Sequence, residues 1–153
     1  MHIRNTLRTT LRSRLEATPT AAAKSPPSSI VFDSLAQVQK SNTIPSFAYW
    51  INSENVSSMA KRSSFEHDYR RETRVEIIII DKTVSGLETL AEEVEEAMTP
   101  PIDLGAGLQM TLLTETSFDE SIEGEYHYFV ARLSYQVTYA TTSNNPTQTQ
   151  PAS

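Results

Sequence analysis

The segment "RVEIIIIDKTVSGLETLAEEVEEAM", residues 74–98, constrains the fold more than any other part of the chain. The run Ile77–Ile80 predicts a strand buried on both faces, which is typical of a central strand. "SGLE" at Ser85–Glu88 matches a capping box and predicts the start of a helix. That helix is amphipathic, because its apolar residues recur at helical spacing: Leu87, Leu90, Ala91, Val94 and Met98. The segment therefore requires a sheet with a helix packed on it.

The rest of the chain supplies one more helix and four more strands. Ile3, Leu7, Leu11 and Leu15 predict a helix over about residues 2–17, ended with the help of Pro19. Strand patterns cover Ser29–Ser34, Pro45–Asn52, Tyr69–Asp81, Leu108–Phe118 and Tyr126–Thr141. The order α-β-β-β-α-β-β predicts an α+β fold, with a single mainly antiparallel or mixed sheet and two helices packed on one face.

The last two strands show alternating patterns. Leu108, Met110 and Leu112 alternate with polar residues and predict a half-buried strand. The acidic "DESIEGE" predicts the turn of a hairpin. The final strand alternates for about fifteen residues and is expected to bury one face, made of Phe129, Ala131, Leu133, Tyr135, Val137 and Tyr139.

Three polar segments have no apolar period. Thr18–Ser29 is interpreted as a linker or long loop, and Asn52–His67 as a long polar loop. Residues 142–153 are Pro-containing and predict a disordered tail. We therefore expect one folded domain over residues 1–141.

The charge is unevenly distributed. The formal net charge is −6, yet the first fifteen residues carry four arginines and no acid. Acids cluster at Glu88–Glu96 and Asp119–Glu125, and cations at Lys61–Arg74. This polarity favours contact with another copy or a partner of opposite charge, rather than sequence-specific nucleic-acid binding, although the N-terminal basic stripe could touch phosphate. No apolar run reaches the ~20 residues of a membrane span, so no membrane partner is expected.

No motif for catalysis, cofactor binding or metal binding is present in the sequence. The histidines His2, His67 and His127 have no ligand-like spacing, and the chain has no cysteine. "DLGAG" (103–107) lacks the residues of a phosphate loop, and no G-x-S-x-G frames a serine. The acids of Glu92–Glu96 are interpreted as a solvated or subunit-facing helix surface. We therefore predict a protein that is not an enzyme and has no cofactor.

The order and texture of the elements resemble the tail terminator proteins of long-tailed bacteriophages, of the lambda minor tail protein U type. The likeness rests on "MHIRNTLRTTLRSRL" with "VFDSLAQ", on "IPSFAYW", on "YRRETRVEIIIIDKTVSGLETLAEEVEEAM", and on "LTETSFDESIEGEYHYFVARLSYQVTYAT". It covers about residues 1–141. "TAAAKSPPSS" and the C-terminal tail have no counterpart in the family pattern.

The resemblance implies a non-enzymatic virion protein, assembled in the host cytoplasm and located at the neck end of the tail. It implies a homo-hexameric ring that caps the tail tube, stops tube polymerisation and offers a surface to the head-side neck or connector protein. Another neck component, such as a head-closure or head–tail adaptor protein, is an alternative, as is a small enzyme or ligand-binding domain.

Charge and exposure suggest which residues make the contacts. For the subunit interface we expect Arg4, Arg8, Arg12, Glu92, Glu95 and Glu96. For a loop contacting the tail tube we expect Lys61, Arg62, Phe65, Arg70 and Arg71. Charge reversal at Arg70 and Arg71 is expected to leave the fold intact and to block tail joining.

Overall fold

A computed structural model describes residues 3–34, 43–61, 67–102, 104, 109–123 and 126–142. The helices are α1 (Ile3–Glu16), the single turn α2 (Pro19–Ala22) and α3 (Val84–Met98), with a 3-10 turn at Pro27–Ile30. The strands are β1 (Val31–Phe32), β2 (Ser46–Lys61), β3 (His67–Asp81), β4 (Gln109–Glu123) and β5 (Tyr126–Thr142).

The strands form one mixed sheet in the order β1-β2-β3-β5-β4. β1 is parallel to β2 over two residue pairs, and the other neighbours are antiparallel. Helices α1 and α3 lie side by side on one face, with α1 over β1 and β2, and α3 over β3 and β5. The predicted α+β class with a single helix-covered sheet is confirmed.

The main core lies between the two helices and the sheet. α1 buries the predicted stripe, with Leu7, Leu11 and Leu15 fully inaccessible. The predicted apolar faces of α3 and β5 pack against it. Each fully buried aliphatic side chain contributes about 1.5–3 kcal/mol, so this layer supplies most of the stabilisation.

The isoleucine run of β3 is buried on both faces, as predicted for a central strand. Ile77 and Ile79 join the main core, whereas Ile78 and Ile80 lie on the opposite face. There Ala48 and the half-buried Trp50 pack beside them in a second, smaller apolar cluster.

Two segments that were predicted to be irregular are structured. Thr18–Ser29 was interpreted as a linker, but it folds as α2 and the 3-10 turn, and Thr18 and Ala21 are buried. Thr20 donates to Glu93 of α3 from its backbone N–H (2.8 Å) and its hydroxyl (2.7 Å). The segment has no sequence period because a single turn is too short to show one. The strand predicted at Ser29–Ser34 is correspondingly reduced to two residues.

The predicted loop Asn52–His67 is also wrong. β2 continues to Lys61 and pairs with β3 from His67 onward, with register shifts at Ile51/Ser53 and Ser58/Lys61. Asn55, Val56 and Ser57 are exposed. The inward-facing side chains of these strands, Glu54, Arg71 and Thr73, are polar, so the strands carry no apolar alternation.

The N-terminal cap of α3 lies two residues earlier than predicted. Thr83 is the cap, and its hydroxyl oxygen accepts from the backbone N–H of Gly86 at 3.0 Å. The predicted capping role of Ser85 is therefore wrong, because Ser85 already lies inside the first turn.

β4 is longer and more exposed than its pattern predicts. It runs to Glu123, so much of the predicted acidic turn is strand. Met110 and Leu112 were expected on the buried face of this strand, but they are 49% and 54% exposed. Leu108 lies outside the described residues. Both exposed residues point to the sheet face opposite the helices, where their partners on β5 are Thr138 and Gln136.

Candidate subunit interface

The two flanks of α1 carry different arginines. An α-helix turns by about 100° per residue, so Arg4, Arg8 and Arg12 share one side of the buried stripe and Arg14 lies on the other. Arg14 donates to the carbonyl of Ala97 at 3.2 Å and to that of Pro101 at 2.8 Å, and it also bonds Pro100. The Arg14 flank therefore faces the end of α3, and the flank of Arg4, Arg8 and Arg12, here called the basic flank, faces away from α3.

The basic flank overhangs β2. Arg12 Nε donates to the hydroxyl of Tyr49 at 3.0 Å, and its guanidinium lies 5.6 Å from the centre of that ring. Arg12 also pairs with Glu16 at 3.4 Å. Burial alone would lower the pKa of Arg12, but Tyr49 and Glu16 outweigh it and raise that pKa, so the charge is retained. Arg8 is exposed and bonds only its helix neighbour Asn5 in the described part of the chain.

Arg4 takes part in a cluster centred on Glu54 of β2. The Glu54 side chain is only 10% exposed and lies 3.7 Å from Arg4 and 3.2 Å from Arg71. It accepts hydrogen bonds from the hydroxyls of Tyr139 at 2.5 Å and Thr73 at 3.1 Å. Burial would raise the pKa of Glu54, but these donors and cations together lower it. The cluster connects α1, β2, β3 and β5.

α3 also has two distinct flanks. Glu93 faces α2, as its bonds to Thr20 show. Glu88, Glu92 and Glu95 lie on the opposite side of the buried stripe and form what we call the acidic flank. Glu96 points directly away from the core, between the two flanks, and is exposed.

A groove separates the acidic flank from β4. At one end a hollow of about 470 Å³ lies between the start of α3 and the end of β4; it is lined by Val84, Leu87, Glu88, Phe118, Asp119, Glu120 and Phe129. A second hollow, of about 240 Å³, lies towards the other end; it is lined by Glu95, Met98, Thr99, Thr111, Leu113 and Tyr135. The groove thus has an apolar floor and acidic rims. Burial, and to a lesser degree Glu95, raises the pKa of Tyr135 to about 12.

Apolar side chains are exposed along β4 on both faces of the sheet. Leu113 and Phe118 are 38% and 58% exposed on the helix side, where no described helix covers β4. Met110 and Leu112 are exposed on the other side. An uncovered edge strand with four exposed apolar residues is typical of a surface that pairs with another chain.

The residues predicted for a tube-contacting loop have different positions. Arg70 and Arg71 lie in β3 rather than in a loop, Lys61 ends β2, and Arg62 and Phe65 lie outside the described residues. Arg70 has a 42% exposed side chain and pairs with Glu72 at 3.2 Å. Arg71 is only 15% exposed and bonds Glu54 and Thr141. These contacts lead us to expect that reversing Arg71, unlike reversing Arg70, destabilises the fold.

The described residues contain no group of three or more His, Asp or Glu side chains that could hold a metal ion. Among the same residues, no helix is long and apolar enough to cross a membrane. His67 and His127 lie in β3 and β5, and His2 lies outside the described residues.

The sequence interpretation missed several residues of this surface. The sequence pattern places Glu54 in a predicted loop and its partner Tyr139 on the predicted buried face of the last strand. Glu88 and Phe118, which line the groove, were not named as site residues. The i, i+4 spacing of the arginines did indicate one shared flank, but no sequence pattern shows which way that flank faces.

The sequence matches no protein-family model and no curated protein. The fold, however, is similar to that of a solved chain described as "Virion of native gene transfer agent (GTA) particle", with a TM-score of 0.55 and 12% sequence identity. The match covers 88% of this chain and 95% of that chain. At this identity the likeness establishes a shared fold and no more.

Proposed function

We propose that this protein is a structural component of a phage-like virion that forms a ring of identical copies at the head-side end of a tail tube. The observation that carries the proposal is the likeness to a chain of a gene transfer agent virion, which extends over 95% of that chain. The order of elements that resembles tail terminators points to the same class of particle.

The surface of the chain is compatible with this role. The basic flank of α1 and the acidic flank of α3 lie on opposite sides of the helix layer, so one copy can present each to a neighbour. β4 offers an uncovered edge with exposed apolar side chains. In the proposed ring these surfaces face adjacent subunits, and the ring contains six copies, as the tail terminator resemblance implies.

The ring has two further partners in this proposal. One of its faces meets the tail tube protein, ends tube growth and uses the β2–β3 hairpin with the exposed Arg70. The other face receives the head-side neck or connector protein. The protein then resides at the neck end of the virion tail after assembly in the host cytoplasm.

Removing the gene tests the proposal. Without a terminator, tubes should exceed their normal length and remain unjoined to heads, and supplying the gene in trans should restore both. Tubes of normal length that fail to join heads would instead identify a head-closure or adaptor protein. Normal, infectious particles would contradict a neck role altogether.

A matched pair of variants tests the tube contact. Arg70→Glu reverses an exposed charge on the hairpin side of β3, whereas Lys82→Glu reverses an exposed charge just beyond the opposite end of that strand. We expect Arg70→Glu to reduce capping of isolated tubes and Lys82→Glu to have little effect. Equal capping by both variants would remove the hairpin from the proposed tube surface.

A further inference from the structure

The sheet is built so that copies can extend it. Its four long strands, β2, β3, β5 and β4, alternate in direction. β1 pairs with β2 only at Phe47 and Ala48, so the outer edge of β2 from Tyr49 to Lys61 has no described strand beside it. Among the described strands, β4 forms the other edge of the sheet.

Strand directions favour a head-to-tail arrangement. If a second copy continues the sheet in the same orientation, β4 of the first copy lies beside the part of β2 that β1 leaves free in the second copy, from Tyr49 onward, and runs antiparallel to it. Antiparallel pairing is the more stable mode, and it satisfies the edge N–H and C=O groups of both strands. Because the two edges differ, this contact is heterologous and can close into a ring.

At the same place, none of the described helices covers the sheet. Neighbouring strands lie about 4.8 Å apart and packed helices about 8–10 Å apart, so one helix covers about two strands. α1 covers β1 and β2, α3 covers β3 and β5, and the next position, over β4 and the added β2, is the groove. The α1 helix of a second copy, which rests on its own β2, would fall there.

The charges agree with that placement. The incoming α1 approaches with its basic flank leading, because that flank contacts β2 and faces away from α3 of its own copy. The groove is lined by Glu88 and Glu95 on α3, with Asp119 and Glu120 on β4. The exposed Glu92 lies one turn from Glu88 on the same flank of α3. Basic and acidic surfaces therefore meet, and the exposed Leu113 and Phe118 of the groove floor become covered.

We propose that a second copy of this chain binds with its β2 edge on β4 and its α1 helix in the groove between α3 and β4. This inference rests on the proposed ring and specifies its subunit contact. The acidic partners are then Glu88, Glu92 and Glu95. Glu96, which was predicted for the interface, lies outside this contact.

Cross-linking tests the geometry directly, because the chain contains no cysteine. Single variants Arg8→Cys and Glu92→Cys are purified, mixed under ring-forming conditions and treated with a short bis-maleimide linker. A covalent dimer is expected in the mixture and not in either variant alone. Glu96→Cys mixed with Arg8→Cys is the control and should give at least about tenfold less dimer. A dimer from Arg8→Cys alone would indicate a twofold contact and overturn the proposal.

Charge reversal gives an independent readout. Arg8→Glu and Glu92→Arg should each weaken self-association by at least about tenfold, since like charges then face each other. The double variant should recover most of the loss, and Glu96→Arg should behave as wild type. Analytical ultracentrifugation measures association, while circular dichroism confirms that each variant is folded. If both single variants self-associate as strongly as wild type, the proposal is overturned.

The outcome also separates this inference from the proposed function. If negative-stain images show rings on tube ends but the Arg8–Glu92 cross-link is absent, the ring stands and its contact lies elsewhere. If neither rings nor cross-links form with tube ends present, both proposals fail.

Discussion

Arg70 and Arg71 are adjacent in sequence, yet their reversal should have very different effects on stability. Arg71→Glu removes the cation 3.2 Å from the nearly buried Glu54 and places a second carboxylate there. Breaking a buried pair typically costs about 3–5 kcal/mol. Arg4, at 3.7 Å, still offsets part of the loss. We expect Arg71→Glu to lower the free energy of unfolding by about 3 kcal/mol. Arg70→Glu, at a 42% exposed site, should lower it by less than about 1 kcal/mol.

Urea unfolding of the monomer, followed by the fluorescence of Trp50, the single tryptophan, measures both values. The pH dependence provides a second check. The folded pKa of Glu54 lies below its ordinary value, so its contribution is present above that ordinary value and is lost as pH falls through the folded pKa. The difference in the free energy of unfolding between wild type and Arg71→Glu should therefore become smaller at acidic pH. Equal destabilisation by the two reversals at pH 7 would refute the cluster as described.

Three further changes test the packing. Thr83→Ala removes the cap of α3 and should lower the free energy of unfolding by about 1 kcal/mol. Ser85→Ala should change it by less than about 0.5 kcal/mol. Thermal melts compare the two variants, and a larger loss in Ser85→Ala would support the cap predicted from sequence. Leu11→Ala, at a fully buried site, should cost about 3 kcal/mol in urea unfolding, and a loss below about 1 kcal/mol would contradict the packing of α1. Gly86→Ala places a methyl group about 2.2 Å from an Asp81 carboxylate oxygen. It should therefore destabilise the protein despite the better helix propensity of alanine. An unchanged melting temperature would show that the carboxylate moves aside freely.

Burial periodicity explains which elements the sequence could predict. The stripe of α1, the isoleucine run of β3 and the alternation of β5 are each long and packed against the core, so the pattern of apolar residues reports them. The β2–β3 hairpin lacks that pattern because its inward-facing side chains, such as Glu54 and Thr73, are polar. The turn α2 lacks it because the turn is too short. In β4 the pattern misleads in the other direction. Met110 and Leu112 alternate with polar residues as in a strand with one buried face, yet both are exposed on an edge strand.

The candidate interface was predicted only in outline. Charge clustering indicated arginines on α1 and glutamates on α3, and the structure places these on two outward flanks. The direction of each flank depends on partners far along the chain, such as Arg14 with Ala97, and Glu93 with Thr20. The sequence therefore suggested the charges of the surface, while the groove and the two sheet edges required the fold.

The central claim is that this chain forms a ring at one end of a tail tube, and imaging tests it most directly. Purified protein is mixed with isolated tail tubes and examined by electron microscopy with rotational averaging of tube ends. The account predicts one added ring of density at a single end of each tube, with the symmetry of the tube. Bare tube ends, or protein bound along the sides of the tube, would contradict it.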